Sequence, residues 1–233
     1  MAEVDLSTLG RQDRIAMLRA RMEQLGATAP EPVVTEDVIP VPGRLGAVLQ
    51  GGGLPKRSVI HVQDCSVLVV ELLATLTQEG GYAAVVGWPD LLLAQVAESG
   101  GKLAHLISVP YPGIEPLNTA AVLCEGMDLV LYRSEDALEL SPVRARPLLA
   151  KVRAGRAGLV LVNATVASPA VTIGAEVKRY HGIGKGSGRI RGVELDIRVQ
   201  QKGLATARIT LPVGVVPERE ASISGGRPQL KVV

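Results

Sequence analysis

Five short apolar runs constrain this chain more than any other feature. They are "VIHV" (59–62), "YAAVVGW" (82–88), residues 104–109, "DLVLY" (128–132) and "GLVLVN" (158–163). Each is continuously apolar and too short for a core helix, so each reads as a strand buried on both faces of a sheet. The segments between them predict helices over 66–78, 90–98, near 116–125 and over 141–153, three of them followed by Gly80-Gly81, Gly100-Gly101 and Gly155. A strand–helix alternation of this kind implies an α/β fold with a mostly parallel central sheet flanked by helices. After Thr172 the rhythm changes. "VELDIRVQQKGLATARITLPV" predicts two longer strands around Lys202-Gly203, an antiparallel hairpin at a sheet edge.

The ends are organised differently. In "STLGRQDRIAMLRARMEQL" (7–25), Ile15, Leu18, Met22 and Leu25 line up as one apolar seam of an amphipathic helix. The following "ATAPEPVVTEDVIPVPG" holds four prolines and cannot propagate that helix. The expected organisation is an arm helix (1–28), a Pro-rich linker (29–42), a core (43–216) and a loosely ordered polar tail (217–233). The seam would dock either on its own domain or on a neighbour.

The chain is 47% apolar but has no Phe, one Trp and four Tyr, so its core must be built from Val, Leu, Ala and Ile. No apolar run reaches the roughly 18 residues of a membrane span, and no signal peptide is read. Cys65 and Cys124 sit in apolar surroundings and read as reduced, buried thiols, which points to the cytoplasm. Charge is segregated along the chain. Residues 1–143 hold 9 Lys/Arg and 18 Asp/Glu, a net of −9, whereas residues 144–233 hold 16 and 5, a net of +11. Such asymmetry marks a face for polyanions or acidic partners, or else it balances within the fold.

Residues 51–76, "GGGLPKRSVIHVQDCSVLVVELLATL", have the glycine-rich turn, strand and helix of a nucleotide-binding entry. A phosphate loop, G-x-x-x-x-G-K-[ST], would join that strand and helix. Here the join is only Gln63-Asp64-Cys65-Ser66, and no lysine lies between Arg57 and Lys102. With "PGRLGAVLQGGGLPKRSVIHV", "MDLVLYRS", "GLVLVNAT" and "VELDIRVQQKG" in this order, the chain resembles the RecA recombinase family over most of its length to about residue 215. The resemblance implies a RecA-like core preceded by an arm that packs on a neighbouring protomer. It also implies positions for ATP chemistry, and each departs from the family pattern. Asp64, Cys65 and Ser66 stand in the shortened loop, and the water-activating acid falls near Gly87-Trp88-Pro89. Arg133 occupies the place of the magnesium-binding aspartate, and Ala164 that of the polar sensor. Read without the family, Asp64 is an acceptable cap for the helix that Cys65 and Ser66 begin. Arg133 would pair with Asp64 or Asp90.

The positive feature is "EVKRYHGIGKGSGRIRG" (176–192), with Lys178, Arg179, Lys185, Arg189 and Arg191, Tyr180 and four glycines from Gly182 to Gly188. It reads as a basic, Gly-rich loop able to follow a phosphate backbone, with Tyr180 to stack a base, or as a solvated surface loop. In RecA proteins the matching region includes a loop that contacts single-stranded DNA. Among RecA relatives without ATP machinery, the chain is most similar to the actinobacterial ImuA-prime mutagenesis accessory proteins, with SulA-like cell-division inhibitors as the alternative. That resemblance implies a non-enzymatic adaptor of mutagenic translesion synthesis, nucleoid-associated during DNA damage and without cofactor or metal. Its implied partners are an ImuB-type Y-family-like protein, an error-prone replicative-type DNA polymerase and single-stranded or primed DNA, with self-association through the arm. Loss of loop, base, metal ligand and sensor together removes what positions and neutralises a transferring phosphoryl group. The purified protein is therefore expected to show no ATP turnover, and Arg133→Asp alone to create none. Saturable hydrolysis that is lost on altering Arg133 would overturn this.

Overall fold

The computed structural model describes residues 38–183 and 188–216, so the arm helix, most of the linker and the tail lie outside the described residues. Two short strands, β1 (Val38–Ile39) and β2 (Leu54–Pro55), pair antiparallel. The main sheet is built from β3 (Val59–Val62), β4 (Ala83–Val86), β5 (Leu106–Val109), β6 (Leu129–Leu140), β7 (Gly158–Val166), β8 (Val171–Ile183), β9 (Gly188–Gln201) and β10 (Ala207–Gly214). Its order is β10-β9-β8-β3-β7-β6-β4-β5. Every pair from β8 across to β5 is parallel, and β8–β9 and β9–β10 are antiparallel. The mixed α/β, mostly parallel architecture read from the apolar runs is present, and the hairpin around Lys202-Gly203 is the β9–β10 turn at the sheet edge.

The helices α1 (Ser66–Gln78), α2 (Leu93–Glu98), α3 (Pro116–Leu123) and α4 (Pro142–Ala154) form the crossovers. Helix α1 is apolar nearly all round because it is enclosed, with Leu68, Val69, Val70, Leu72, Leu73 and Leu76 buried. It stops where Gly80, at φ 93°, donates its N–H to the Thr77 carbonyl and Gly81 donates to that of Leu76. This left-handed stop satisfies the last helical carbonyls. A side chain at Gly81 would begin 2.3 Å from Leu76 Cδ1, so the pair of glycines is required twice over.

Apolar residues lie on both faces of the central strands. One core layer joins α1 to Ile60, Val62, Val160 and Val162 and continues under β8–β10 through Ile173, Leu195, Ile197 and Leu211. The other joins α3 and α4 to Val59, Val130, Leu159 and Leu161. Over β8–β10 the α3–α4 side is left without such a layer, and Arg198, Gln200, Arg208 and Thr210 are exposed there. Among the described residues no helix is long and apolar enough to cross a membrane. Cys65 and Cys124 are both buried and unpaired, and burial pushes the Cys124 thiol up to about 12.

The amino-terminal edge of the parallel strands is tied together by Asp128. Its carboxylate accepts the Tyr82 N–H at 3.0 Å, Arg156 at 2.7 Å and Lys56 at 3.4 Å. These link the start of β6 to β4, to the chain ahead of β7 and to the β2–β3 turn. Burial alone would raise the Asp128 pKa, but the Tyr82 N–H, Arg156 and Lys56 outweigh it and hold the group below its ordinary value. A depressed carboxylate stabilises the fold above its unfolded pKa, and that stability is lost as pH falls through the folded value. Asp128→Ala is expected to cost about 1–3 kcal/mol in urea unfolding at pH 7. The deficit against wild type should shrink below about pH 4, as the wild-type carboxyl also protonates.

Candidate functional site

Strand β3 is only four residues long, and it ends at the edge of the sheet where its neighbours continue. Gln63 extends its line briefly, donating its N–H to Ile173 O and accepting the Ala175 N–H on Oε1 at 3.2 Å. Helix α1 then begins at Ser66 with Cys65 as the capping residue and no side-chain cap bond. The expected capping role of Asp64 is therefore corrected. Its Oδ2 instead accepts two bonds from Arg133, from Nε at 3.1 Å and from Nη2 at 3.0 Å. Of the two acids open to Arg133 in the sequence, Asp64 is the partner. The guanidinium also lies 5.1 Å from the centre of the Trp88 ring, which favours the cation further.

Residues of the shortened loop thus meet in part. Asp64, Ser66 and Arg133 line a cavity of about 200 Å³ together with Trp88, Asp90 and Gln95. This is below the roughly 300–1,000 Å³ of usual small-molecule pockets. Its one lining cation is already engaged by a carboxylate. Cys65 is buried in the core layer under α1. Burial pushes its thiol up, the Leu68 and Val67 N–H groups oppose this and nearby Asp64 adds to it, which favours the protonated thiol over the thiolate. Ala164 is not part of the cavity. It is buried in the opposite core layer, in register with Leu138.

The structural roles of two residues that shape this edge escaped the sequence reading. Strand β6 does not end at Tyr132 but bulges between Arg133 and Leu138 and pairs with β7 again to Leu140. Asn163, at φ 55°, holds the bulge by donating Nδ2–H to the carbonyls of Ser134 at 3.0 Å and Glu135 at 3.2 Å. An amide at the end of the otherwise apolar "GLVLVN" run was the available signal. Gly87, at φ 76°, lets β6 pass close, since a Cβ there would lie 2.5 Å from Arg133 O.

In its described residues, 176–183 and 188–192, the basic segment is strand and not loop, which corrects the sequence expectation. Strand β8 runs to Ile183 and β9 starts at Gly188; Lys185 lies outside the described residues. Glycines and charges had obscured a strand whose register breaks at Val177/Arg179 and again at His181/Ile183. Ile173 of β8 is in register with Val62, the last residue of β3. The following residues therefore carry β8 on the order of 30 Å past the end of β3, at about 3.3 Å each. β10 accompanies this extension as far as Gly214, opposite Gly192, and beyond that point it is two-stranded. Lys178, Arg179, Tyr180, Arg189 and Arg191 are exposed on it, and none of the four cations has an ion-pair partner among the described residues. Towards its far end, His181, in register with Gly192, places Nε2 2.8 Å from Glu194 Oε1, which occupies that acid. The arm positions Ile15, Leu18, Met22 and Leu25 lie outside the described residues.

Compared with known proteins, residues 47–168 match the family model described as MT3502 N-terminal domain. The chain is also 32% identical over 174 residues to the uncharacterized protein Rv3395c of Mycobacterium tuberculosis, a span covering 71% of this chain and 85% of that protein. The matched segment runs from the turn before β2 to the end of β7, so it contains the short β3, the Asp64–Arg133 pair and the β6 bulge, and this chain belongs to the MT3502 N-terminal domain family.

Proposed function

We propose that the protein is a non-enzymatic adaptor with a RecA-like core that acts in DNA-damage tolerance. It would contact single-stranded or primed DNA and join it to an ImuB-type Y-family-like protein and an error-prone replicative-type polymerase. The observation that carries the reading is found at one sheet edge. An internal Arg133–Asp64 pair stands where a phosphate site would be, beside an extension whose four cations have no ion-pair partner among the described residues. In this reading the site has exchanged nucleotide chemistry for an internal neutral contact, and the binding capacity resides in the neighbouring strands. Lys178, Arg179, Arg189 and Arg191 would meet phosphates. Tyr180, which is 54% exposed, offers a face for base stacking.

The test is fluorescence anisotropy with a labelled oligo-dT strand across a salt series. Binding should weaken with salt, and each lost phosphate contact should reduce the log–log slope by about 0.7. The fourfold variant K178A/R179A/R189A/R191A should lose binding and flatten the slope by roughly 3 if all four cations contact phosphate. Unchanged affinity and slope would remove DNA contact from the extension. Co-purification from damaged native cells should recover polymerase-class proteins; recovery of a tubulin-like division protein instead would favour the SulA-like reading.

A further inference from the structure

At the same edge of the sheet, on the other side of β3, lies a second concave surface. It is a groove of about 760 Å³ between the segments leaving β4 and β5 and the bulge of β6. Pro89, Pro110, Tyr111 and Pro112 form its apolar wall, and Asp90, Glu135 and Asp136 give it negative charge. All three acids are exposed, and none has an ion-pair partner among the described residues. The one cation in the lining, Arg133, is already held by Asp64. Beside the groove Ile114 is fully exposed, and Tyr111 in its wall is 82% exposed.

The antiparallel extension of β8 and β9 is the counterpart of this surface in charge and in exposed apolar side chains. It carries Lys178, Arg179, Arg189 and Arg191 without ion-pair partners among the described residues, interleaved with exposed Val177, Tyr180, Ile183 and Ile190. It does not neutralise its own groove. In the sheet order β3 and β7 stand between β8 and β6, which separates those strands by about 14 Å at 4.8 Å per interval.

We propose that the occupant of the groove is the β8–β9 extension of a second copy of this chain. Both surfaces stand at the carboxyl-terminal edge of the parallel strands, on opposite sides of β3. Two copies facing each other edge to edge therefore exchange extensions reciprocally, and the assembly closes as a two-fold dimer rather than growing as a filament. Leaving out buried residues, the described extension presents 12 residues and the groove 13. Each protomer thus offers about the 20–30 residues a side of a specific interface. The dimer occupies the cations that the proposed nucleic-acid contact uses, so single-stranded DNA competes with it. The dimer itself does not rest on that reading.

Sedimentation velocity of the full chain tests this by exchanging charge between the two surfaces. In low salt the wild type should sediment as a dimer that dissociates as salt is raised. The groove variant E135R/D136R and the extension variant R179E/R191E should each be monomeric. Mixed in equal amounts they should form a dimer, because each basic extension then faces an acidic groove and each acidic extension a basic one. If a reversal variant fails to fold by circular dichroism, the milder E135Q/D136N should still weaken association at least tenfold. L18E/M22E in the arm should leave the dimer unchanged. A monomeric wild type at tens of micromolar in low salt, a dimer indifferent to both reversals, or a mixture that stays monomeric would overturn the proposal. Oligo-dT binding separates it from the DNA reading, since E135R/D136R should lose the dimer and retain DNA, whereas R179E/R191E should lose both.

Discussion

Strand β3 hydrogen-bonds in parallel to β7 on one side and β8 on the other, yet it is four residues long where they are nine and thirteen. Its shortness opens a notch at the carboxyl-terminal edge of the sheet, walled by β8 with its antiparallel partners and by the paired continuations of β6 and β7. In open parallel sheets this edge is where ligands are usually held, because helix amino termini and loops converge there. Here the notch is filled from within. Gln63 satisfies the backbone of β8 as a surrogate residue of β3, and Arg133 reaches across from β6 to Asp64. The Asp64–Arg133 pair and the basic extension both follow from how far the neighbouring strands run past the end of β3.

The filling of the notch is an electrostatic exchange. A phosphate-binding loop concentrates positive potential at a helix amino terminus, whereas Asp64 places a carboxylate one residue ahead of the cap of α1. Arg133 neutralises it with two bonds to one oxygen and a ring face beneath. The side chains are 25% and 42% exposed, so the pair contributes modestly to stability. Its consequence is specificity of charge. The Asp64–Arg133 pair is left without net charge, while the surfaces on either side keep theirs. Strand order maps the linear segregation onto space. The acidic half supplies β4, β5 and β6 at one side of the sheet, and the basic half supplies β8, β9 and β10 at the other. The cations of α4, Arg144, Arg146, Lys151 and Arg153, lie in the β6–β7 crossover, so the separation holds for the strand extensions at this edge and not for the whole sheet.

The strands and crossovers were legible because burial on both faces writes itself as uninterrupted apolar runs. Helix α1 was predicted from Ser66 to Gln78 and is found there, since its glycine stop and apolar surface leave no competing structure. The Asp64–Arg133 pair was one of the arrangements open in the sequence, because a cation in an apolar strand demands an acid and Asp64 and Asp90 both lay near in the expected fold. What was not legible had lost its periodicity. A bulge moves every later side chain to the other face, so "EVKRYHGI" broken at Lys178 shows neither strand alternation nor helical spacing. "SEDALEL" after Arg133 fails in the same way, and the bulge that breaks it is fixed by Asn163 from another strand.

The extension poses a problem of its own. Beyond Ala175, β8 has lost β3 as a neighbour, so the backbone groups on that side lack a strand to pair with. A bare edge of this kind invites addition of a foreign strand. Bulges at Val177/Arg179 and His181/Ile183, with charges beside them, oppose such pairing. Repulsion between like-charged edges works with either sign, however, and acids would protect this edge as well as bases. Every described charge between Val177 and Gly192 other than the histidine is nevertheless a cation. The acids appear only at the base, as Glu176 and as Glu194, the latter held by His181. Protection of the edge accounts for the presence of charge. The uniform sign is left over, and the two proposed contacts, with phosphate and with the acidic groove of a second copy, rest on it.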